Sequence, residues 1–480
     1  MNETKTLALT AVDSSAAELN LLSDRIWDSP ETCYTEVTAA KLQTAFLREH
    51  GFAVEENLGD IPTAFSGSFG SGSPVIGILG EFDALSGLSQ EAGVMELSPV
   101  EPGGNGHGCG HQLLGTASIG AALAVKKYLE TTGASGTVIY YGCPAEEGGA
   151  GKGFMARDGV FDHLDCAVTW HPGDLNRTST TSSLANIVAR YKFHGCSAHA
   201  AGAPHLGRSA LDAVTLMNVG SQFLREHVIQ EARIHYAVTD TGGVSPNVVQ
   251  ADAEVLYMMR APQIDQCREI FERIHDIARG AALMTGTTME EIFVKATSNI
   301  VPNRAIEEVL QRNLEAVPLP EFDEAEMAFA KGFFDTVTTK GGSLQKALKH
   351  MKPEQAMELE KHLGEPYYGT FILPLSDYEE ASPGSSDVGD VSWVTPTAQI
   401  NTATWAAETP GHSWQIVAQG KGSIAHKAQL FAAKVMAGAV IDLLNEPETI
   451  EKAKKELDYR RGHKSFTSPI PKGVRPSTLK

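Results

Sequence analysis

The chain has little positive charge for its size. Its 480 residues carry 39 Lys and Arg against 59 Asp and Glu, a formal net charge of −20. Such an excess of acid argues against nucleic acid and anionic membrane surfaces as partners. The sequence also lacks an uninterrupted apolar run of about 18 residues, the length that a membrane-spanning helix requires. Residues 1–20 have no basic start followed by an apolar core, so no secretory signal peptide is expected there.

Cysteine is sparse, and several common catalytic motifs are missing. The six cysteines follow no spacing typical of a disulfide-rich secreted domain, which predicts reduced thiols in a cytoplasmic protein. They are Cys33, Cys109, Cys143, Cys166, Cys196 and Cys267. The sequence contains no Gly-x-Ser-x-Gly, no phosphate-binding P-loop and no Cys-x-x-Cys pair. These absences argue against a serine hydrolase of the α/β type, a P-loop nucleotide hydrolase and a zinc deaminase.

What the sequence does contain is an alternation of apolar strands and helices. Short strand-like runs at 74–80, 137–141 and 167–170 alternate with helical patterns at 112–131 and 150–158. This order predicts an α/β fold, in which functional side chains gather at the carboxyl ends of the strands. With 42% hydrophobic residues, the chain is expected to bury a large core divided between two or three domains.

The pattern changes after residue 185. Residues 186–298 read as strand, helix, two strands, helix and strand, which predicts an inserted ferredoxin-like βαββαβ domain serving as a lid or dimerisation surface. The catalytic domain is then expected to comprise residues 1–185 and 299–480. Within its second part, residues 318–380 lack strand patterning and predict a helical insertion.

The run Gly106-His-Gly-Cys-Gly-His111 places Cys109 and His111 on either side of a single glycine. In a loop, both side chains can point at one ion. A thiolate and imidazoles beside carboxylates suit Zn²⁺ or Mn²⁺ rather than Ca²⁺. His171 and His412 are further candidate ligands at strand ends or in loops. The alternative interpretation is an incidental cysteine in a glycine-rich loop, with histidines that cap helices.

Two pairs of acidic residues follow neighbouring strands. In Glu146-Glu147, one carboxylate is expected to bind metal and the other to take a proton from the attacking water. The alternative is a solvated helix start, where acids are favoured by the helix dipole. One acid of the pair Glu81 and Asp83 is expected to orient a histidine ligand, unless either merely caps a turn. The sequence does not decide which of the two acids has this role.

Three residues of the inserted domain are candidates for substrate binding. His199 is expected to stabilise an oxyanion or to bind a substrate carboxylate, delivered by closure of the domains or by a partner subunit, unless it only caps a loop. Arg260 is suited to a two-pronged contact with a carboxylate, and its alternative is a surface ion pair. Asn247 lies on the same domain.

These motifs together resemble the M20 family of metallopeptidases and amidohydrolases, in particular the branch that includes aminoacylases. The resemblance extends over most of the chain. The segments that carry it are Gly80-Glu-Phe-Asp-Ala-Leu85, Gly106-His-Gly-Cys-Gly-His111, Pro144-Ala-Glu-Glu-Gly-Gly149, Trp170-His171-Pro172, Ala198-His-Ala200, Ser245-Pro-Asn-Val-Val249, Arg260 and Gly411-His-Ser413.

The resemblance implies a zinc-peptidase-like, mixed-sheet catalytic domain, a lid that also dimerises, and two divalent ions, Mn²⁺ or Zn²⁺. It makes Glu146 the general base, His199 the oxyanion partner and Asp83 an auxiliary acid. Asn247 and Arg260 would hold the carboxylate end of the substrate. The implied metal ligands are Cys109, His111, Glu147, His171 and His412.

The chain departs from this family in a few places. Gln112 replaces an aspartate, Glu81 replaces the first acid of an Arg-Ala-Asp-Met-Asp motif, and the surroundings of His412 are unusual, so that His426 is a rival ligand. His412 is preferred because His426 lies at helical spacing within the final helix.

The resemblance implies hydrolysis of the amide bond of an N-acyl or N-aroyl amino acid, with p-aminobenzoyl-glutamate the leading substrate. The alternatives are a dipeptidase, an aminoacylase or a deaminase acting on another substrate, and a subunit that needs a related M20 partner chain. A homodimer formed through the lid is expected, with a hetero-oligomer as the alternative.

Overall fold

The structure is a computed structural model that describes residues 3–363 and 367–477. The strands are β1 (Ala53–Glu56), β2 (Phe65–Ser71), β3 (Val75–Glu81), β4 (Gly136–Cys143), β5 (Cys166–Gly173), β6 (Arg177–Ser179), β7 (Ala185–His194), β8 (Arg233–Asp240), β9 (Asp252–Ala261), β10 (Thr288–Thr297) and β11 (Thr397–Ala403). The α-helices are α1 (Glu3–Ser14), α2 (Ala16–Trp27), α3 (Val37–Glu49), α4 (His111–Thr132), α5 (Gly151–Arg157), α6 (Ala210–Leu224), α7 (Ile264–Thr285), α8 (Arg304–Ala316), α9 (Glu324–Thr336), α10 (Ser343–Leu348), α11 (Pro353–Leu359), α12 (Val388–Val394), α13 (Trp414–Gln419), α14 (Ser423–Asn445) and α15 (Pro447–Arg460).

The chain divides into two compact units. Within the described residues, the first unit is formed by Met1–Thr181, Val301–Glu380 and Val391–Phe466, and the second by Ser182–Ile300, Ala381–Asp390 and Thr467–Lys480. The range 186–298, expected from the sequence to form the inserted domain, lies within the second unit. That unit also includes two later segments of the chain.

The first unit contains a seven-stranded sheet with the order β1-β2-β4-β3-β5-β11-β6. Its centre is a parallel block, β4-β3-β5-β11, while β1, β2 and β6 join their neighbours in antiparallel fashion. The predicted mixed-sheet α/β fold is therefore confirmed. Because the four central strands are parallel, their carboxyl ends meet at one edge of the sheet, where such folds place their functional residues.

Two long apolar helices, α4 and α14, supply much of the core beside this sheet. Gly115 lets α4 approach β3 closely, since a Cβ there would lie 2.6 Å from the Glu81 carbonyl oxygen. By length and composition alone, α14 is apolar enough to cross a membrane, but 78% of its most apolar window is buried within the protein. Its composition is therefore explained by its place in the core.

The second unit contains a four-stranded antiparallel sheet with the order β10-β7-β9-β8. Helix α6 connects β7 to β8, and α7 connects β9 to β10, so the chain order is βαββαβ as the sequence predicted. Alternate residues of β9 are buried, the pattern of a strand with one face on a core and the other more accessible.

The described residues of the segment 318–380 contain three α-helices joined by irregular stretches. They are α9, α10 and α11, and Asp323 caps α9 by accepting a hydrogen bond from the Glu326 backbone N–H. Side chains of α9, among them Phe333, pack with Tyr368 and Ala403 in a small core of their own. The insertion is thus attached to the loop region that follows β11.

Candidate metal centre

The carboxyl ends of the four parallel strands bring the predicted residues of the first unit together. Asp83 follows β3, the Glu146-Glu147 pair follows β4, His171 lies near the end of β5, and His412 lies in the loop after β11. Cys109 lies in the loop between β3 and α4, and His111 is the first residue of α4. Residues that are far apart in the chain therefore meet because of strand order.

Glycines in the Cys109 loop allow a second loop to lie directly on it. Leu85 and Gly106 exchange two backbone hydrogen bonds of 2.9 and 3.0 Å, and the Ser89 N–H donates to the Gly104 carbonyl oxygen. A Cβ at Gly106 would lie only 2.2 Å from the Leu88 carbonyl oxygen, so a larger residue would push the two loops apart. Gly110, between Cys109 and His111, has φ +77°, a conformation that favours glycine.

Two groups of potential ligands share Cys109. One combines Cys109 with His111 and His171, and the other combines it with Glu147 and His412; within each group the ligand atoms lie within 4.8 Å of one another. The Cys109 Sγ lies 3.4 Å from the His171 Nε2, and the Glu147 Oε1 lies 3.3 Å from the His412 Nε2. Each group offers three ligand atoms that would suit one divalent cation.

The orientation of the histidine rings is set by their second nitrogens. His171 Nδ1 lies 2.8 Å from the Pro172 carbonyl oxygen, a pure acceptor, so Nδ1 carries the proton and Nε2 faces Cys109. His111 Nδ1 lies 2.8 Å from Asp83 Oδ1 in the same way. Such contacts fix the tautomer and aim the free nitrogen of a metal-ligating histidine.

Asp83 does more than orient His111. Its second oxygen, Oδ2, accepts a 2.9 Å hydrogen bond from the Glu147 backbone N–H. One buried carboxylate therefore ties together a residue of α4 and a residue of the loop after β4. Of the two acids that the sequence left open, Asp83 is the one that holds His111 Nδ1.

Glu81 lies on the other side of His111. Its Oε2 is 3.2 Å from His111 Nε2, and its Oε1 is 2.7 Å from the Nζ of Lys152, which is fully buried. Glu81, His111 and Glu146 form a third group whose ligand atoms lie within 4.8 Å of one another. Although burial would raise the pKa of Glu81, Lys152 and the histidines lower it, so Glu81 remains a carboxylate.

The sequence analysis did not single out Lys152. A lysine between Gly151 and Gly153, ahead of the apolar run Phe154-Met-Ala156, was the available sign, because a charge on a buried helix requires a partner.

Glu36 was also missed, and it supports the loop that carries Glu146 and Glu147. This fully buried acid accepts backbone hydrogen bonds from Tyr34 and, at 3.1 Å, from Ala145. The Tyr34 hydroxyl donates to the Gly149 carbonyl oxygen at 2.7 Å. Ala145 has φ +59°, an unfavourable conformation for a residue other than glycine, which these contacts help to maintain. Nothing in the sequence near Glu36 indicates this role.

The electrostatics favour anionic ligands facing positive partners. Burial would raise the pKa of Cys109, but His171 and His111 lower it to about 6. Burial would likewise raise the pKa of Glu147, but His412 and His111 lower it to about 2. The proximity of Cys109 and Glu147 raises the pKa of His412 to about 10. Protons on the imidazoles thus neutralise the thiolate and carboxylates, and metal binding typically displaces such protons.

The cluster has the properties of a cation site. His111 Nε2 and Glu81 Oε2 are buried and make no hydrogen bond, although they lie only 3.2 Å apart. The Glu147 Oε1 lies 3.9 Å from the same nitrogen. Buried polar atoms are rarely left in this state. A divalent ion would satisfy these atoms, and the combination of sulfur, nitrogen and oxygen donors fits Zn²⁺ or Mn²⁺.

The rival histidine is engaged elsewhere. His426 lies on α14, and its Nε2 is 2.9 Å from Asp24 Oδ1. His412, by contrast, has φ +52° and faces Glu147, with 55% of its side chain exposed. The structure therefore brings His412 into the cluster and pairs His426 with α2.

The remaining candidates lie in the second unit. The His199 Nδ1 accepts hydrogen bonds from the Ala201 and Gly202 backbone N–H groups, and the Asn247 carbonyl oxygen accepts one from Ala200. His199 and Asn247 are therefore neighbours. Arg260 lies on β9, and its Nη1 is 3.3 Å from the Ser385 hydroxyl. A role for these three residues in binding substrate stays a prediction.

Comparison with known proteins shows the family to which the chain belongs. Residues 77–453 match the model of peptidase family M20/M25/M40. The chain is 47% identical over 484 aligned residues to a subunit of p-aminobenzoyl-glutamate hydrolase from Escherichia coli K12, an alignment that covers 98% of each chain.

Two solved structures share the fold. One is the aminobenzoyl-glutamate utilization protein from Klebsiella pneumoniae, with a TM-score of 0.59, 16% identity, and coverage of 89% of this chain and 96% of that one. The other is a dinuclear metal-binding peptidase from the M20 family of Bacillus subtilis, with a TM-score of 0.54, 16% identity, and coverage of 90% and 99%.

Proposed function

The chain belongs to peptidase family M20/M25/M40, and from this membership we propose that it hydrolyses the amide bond of N-aroyl amino acids, p-aminobenzoyl-glutamate above all. The observation that carries the proposal is the pair of ligand groups sharing Cys109, with the Glu146 carboxylate beside them. The name of the 47% identical relative supports the choice of substrate.

Two divalent ions, Zn²⁺ or Mn²⁺, are proposed as cofactors. Cys109, His111 and His171 would hold one, and Cys109, Glu147 and His412 the other. Ions in such a site supply Lewis acidity, which polarises an amide carbonyl and makes water easier to deprotonate. The six cysteines form no disulfide, in keeping with a thiolate ligand in the reducing cytoplasm that we propose as the location.

Glu146 is proposed as the general base and acid. It is partly exposed, adjacent to the ligand candidate Glu147, and one of its oxygens lies within 4.8 Å of the His111 ligand nitrogen. Glu146 takes a proton from the water that attacks the amide carbonyl carbon. When the C–N bond breaks, Glu146 returns that proton to the nitrogen, and the amino acid leaves as a neutral amine.

Asp83, Glu81 and Lys152 position these groups rather than react. Asp83 holds the His111 ring and the Glu147 backbone, so that the imidazole cannot rotate away during turnover. Lys152 keeps Glu81 charged beside His111. A site held in place in this way avoids reorganisation when charge develops on the substrate.

The second unit is proposed to recognise the other end of the substrate. Arg260 and Asn247 would bind the carboxylate of the amino acid, and His199 would stabilise the oxyanion, as expected from the sequence. A homodimer through this unit is proposed. Because the similar protein is named as one subunit of its enzyme, assembly with a related M20 chain is the alternative.

The test is hydrolysis of p-aminobenzoyl-glutamate by the purified chain, first stripped of metal and then supplied with Zn²⁺ or Mn²⁺. Hippurate and acetyl-amino acids run in parallel identify the acyl preference. Metal-dependent release of glutamate is expected. If the chain binds about two metals and hydrolyses none of these substrates, the proposal is overturned for the isolated chain. Activity that appears only after a related M20 chain is added would establish the hetero-oligomer.

Glu146→Gln separates catalysis from metal binding. Loss of a general base costs about 10² to 10⁴ in rate, while the metal content is expected to stay at the wild-type level. Near-native turnover in this variant would refute the role of Glu146.

A further inference from the structure

An apolar pocket opens directly beside His412. It has a volume of about 390 Å³ and is lined by Gly87, Leu88, Ser89, Leu97, Pro99, Gly103, His412, Ser413 and Trp414. Ligand pockets commonly begin at about 300 Å³, and a cavity of about 150 Å³ is enough for one benzene molecule. This pocket therefore has room for a substituted aromatic ring.

Hydrogen bonds from one side chain fix the backbone of the exposed loop that forms one wall of the pocket. Gln90, which is buried, donates to the Glu96 carbonyl oxygen at 2.9 Å and accepts from the Ser98 backbone N–H at 2.8 Å. These two bonds enclose Leu97, whose side chain is nevertheless 66% exposed. A ligand in the pocket would bury part of this exposed leucine, which is favourable for an apolar side chain.

The second wall rests on the helical insertion. Trp414 packs near Phe333 of α9, with 6.4 Å between the ring centroids. On the same helix, Gly332 makes space for Met95 of the wall loop, because a Cβ there would lie 2.4 Å from the Met95 sulfur. The insertion 318–380 therefore supports both sides of the pocket.

The lining of the pocket offers no lysine or arginine to the anionic end of the substrate. Between Leu85 and Gly104 the chain carries Glu91, Glu96 and Glu101 and no Lys or Arg. A carboxylate in the pocket would meet mostly apolar and neutral side chains, with no lysine or arginine to pair with it, which is unfavourable. A neutral ring, by contrast, can stack on Trp414 and cover Leu97.

We propose that this pocket binds the aryl ring of the acyl group and thereby makes the enzyme selective for aroyl over small acyl amino acids. The proposal rests on the proposed amidohydrolase function, which it deepens. Leu97 and Trp414 are the specificity-determining residues, and the contiguity with His412 places the ring next to the candidate metal centre.

Leu97→Asp in the metal-loaded enzyme provides the kinetic test. The ratio of kcat/KM for benzoyl-glutamate to that for acetyl-glutamate is expected to fall about tenfold or more, the usual range for a change in an apolar specificity pocket. Leu21→Asp is the matched control, since Leu21 is 59% exposed on α2 of the same unit. It should leave both rates and their ratio unchanged. An equal loss for both substrates in Leu97→Asp would overturn the proposal.

Binding of benzamide, a neutral aryl amide, tests the pocket without catalysis. Calorimetry should give a Kd about tenfold larger for Leu97→Asp than for the wild type or Leu21→Asp. Trp414→Leu should also weaken benzamide binding. If no acyl-glutamate is hydrolysed but benzamide binding depends on Leu97, the proposed function fails and the pocket remains. If benzamide does not bind, or binds all variants equally, the pocket assignment is wrong.

Discussion

Replacement of Asp83 by asparagine is expected to weaken metal binding without removing any metal ligand. The carboxylate meets two hydrogen-bond donors at once, the His111 Nδ1–H at 2.8 Å and the Glu147 backbone N–H at 2.9 Å. Two donors require two acceptors. An aspartate supplies two and an asparagine supplies only one.

Either orientation of the asparagine harms the cluster. If its NH₂ group faces His111, the ring must accept at Nδ1 and carry its proton on Nε2, the nitrogen that faces Glu81 and Glu147. If the NH₂ group faces Glu147, a buried N–H is left unpaired at a cost of about 1–3 kcal/mol. Loss of such a supporting contact typically reduces metal affinity about 10- to 100-fold, which corresponds to about 1.4–2.7 kcal/mol.

The assay is a metal titration of the stripped protein, by calorimetry or by competition with a chelating dye. Asp165→Asn is the matched control, because Asp165 accepts bonds of 2.7 Å from the Val75 N–H and 2.6 Å from Lys454 at the amino ends of the same strands. It should lower stability and leave metal affinity intact. Wild-type affinity in Asp83→Asn, with the fold retained by circular dichroism, would refute the reasoning.

Three further predictions concern the surroundings of the cluster. Lys152→Met leaves Glu81 charged and buried, so urea unfolding should show a loss of about 3–5 kcal/mol; the double variant with Glu81→Gln should recover much of it, and no recovery would contradict the pairing. Burial, together with the Asp83 charge, raises the pKa of Glu36 from 4.5 to about 8. Between pH 4.5 and 8 the folded protein therefore binds a proton at Glu36 that the unfolded chain has lost. The free energy of unfolding should accordingly fall as the pH rises from 4.5 to 8. Glu36→Gln should flatten that dependence, and an unchanged slope would show that Glu36 does not cause it. His412→Gln should weaken metal binding whereas His426→Gln should not, as judged by metal content after dialysis; the opposite result would exchange their roles.

Local patterns in the sequence predict much of the fold. The apolar runs at 74–80, 137–141 and 167–170 predicted strands where β3, β4 and β5 lie, because buried strands need continuous apolar sequence. The βαββαβ order of the second unit was also predictable from the sequence, because apolar residues recur with different periods in strands and in helices. Membership of the M20 family, recognised from motifs near strand ends, is confirmed by the match over residues 77–453.

Other features could not be read in this way. Glu81 is the last residue of β3 and Asp83 lies two residues later, so only the packing of α4 and of the loop after β4 decides which of them meets His111 Nδ1. Glu36 lies more than 100 residues from Ala145, and no local pattern connects them. The pocket beside His412 arises from loops that are about 300 residues apart in the chain.

The sequence by itself determined which chemical groups are available and that they stand at strand ends: a thiol, imidazoles and paired carboxylates at spacings that the parallel strands bring to one edge. The tertiary structure alone decided which nitrogen each imidazole offers, which acid holds it, and what surrounds the reacting carbonyl. The physical reason is that composition and periodicity act over a few residues, whereas tautomers, buried charge pairs and pocket walls depend on atoms that meet only when distant segments pack together.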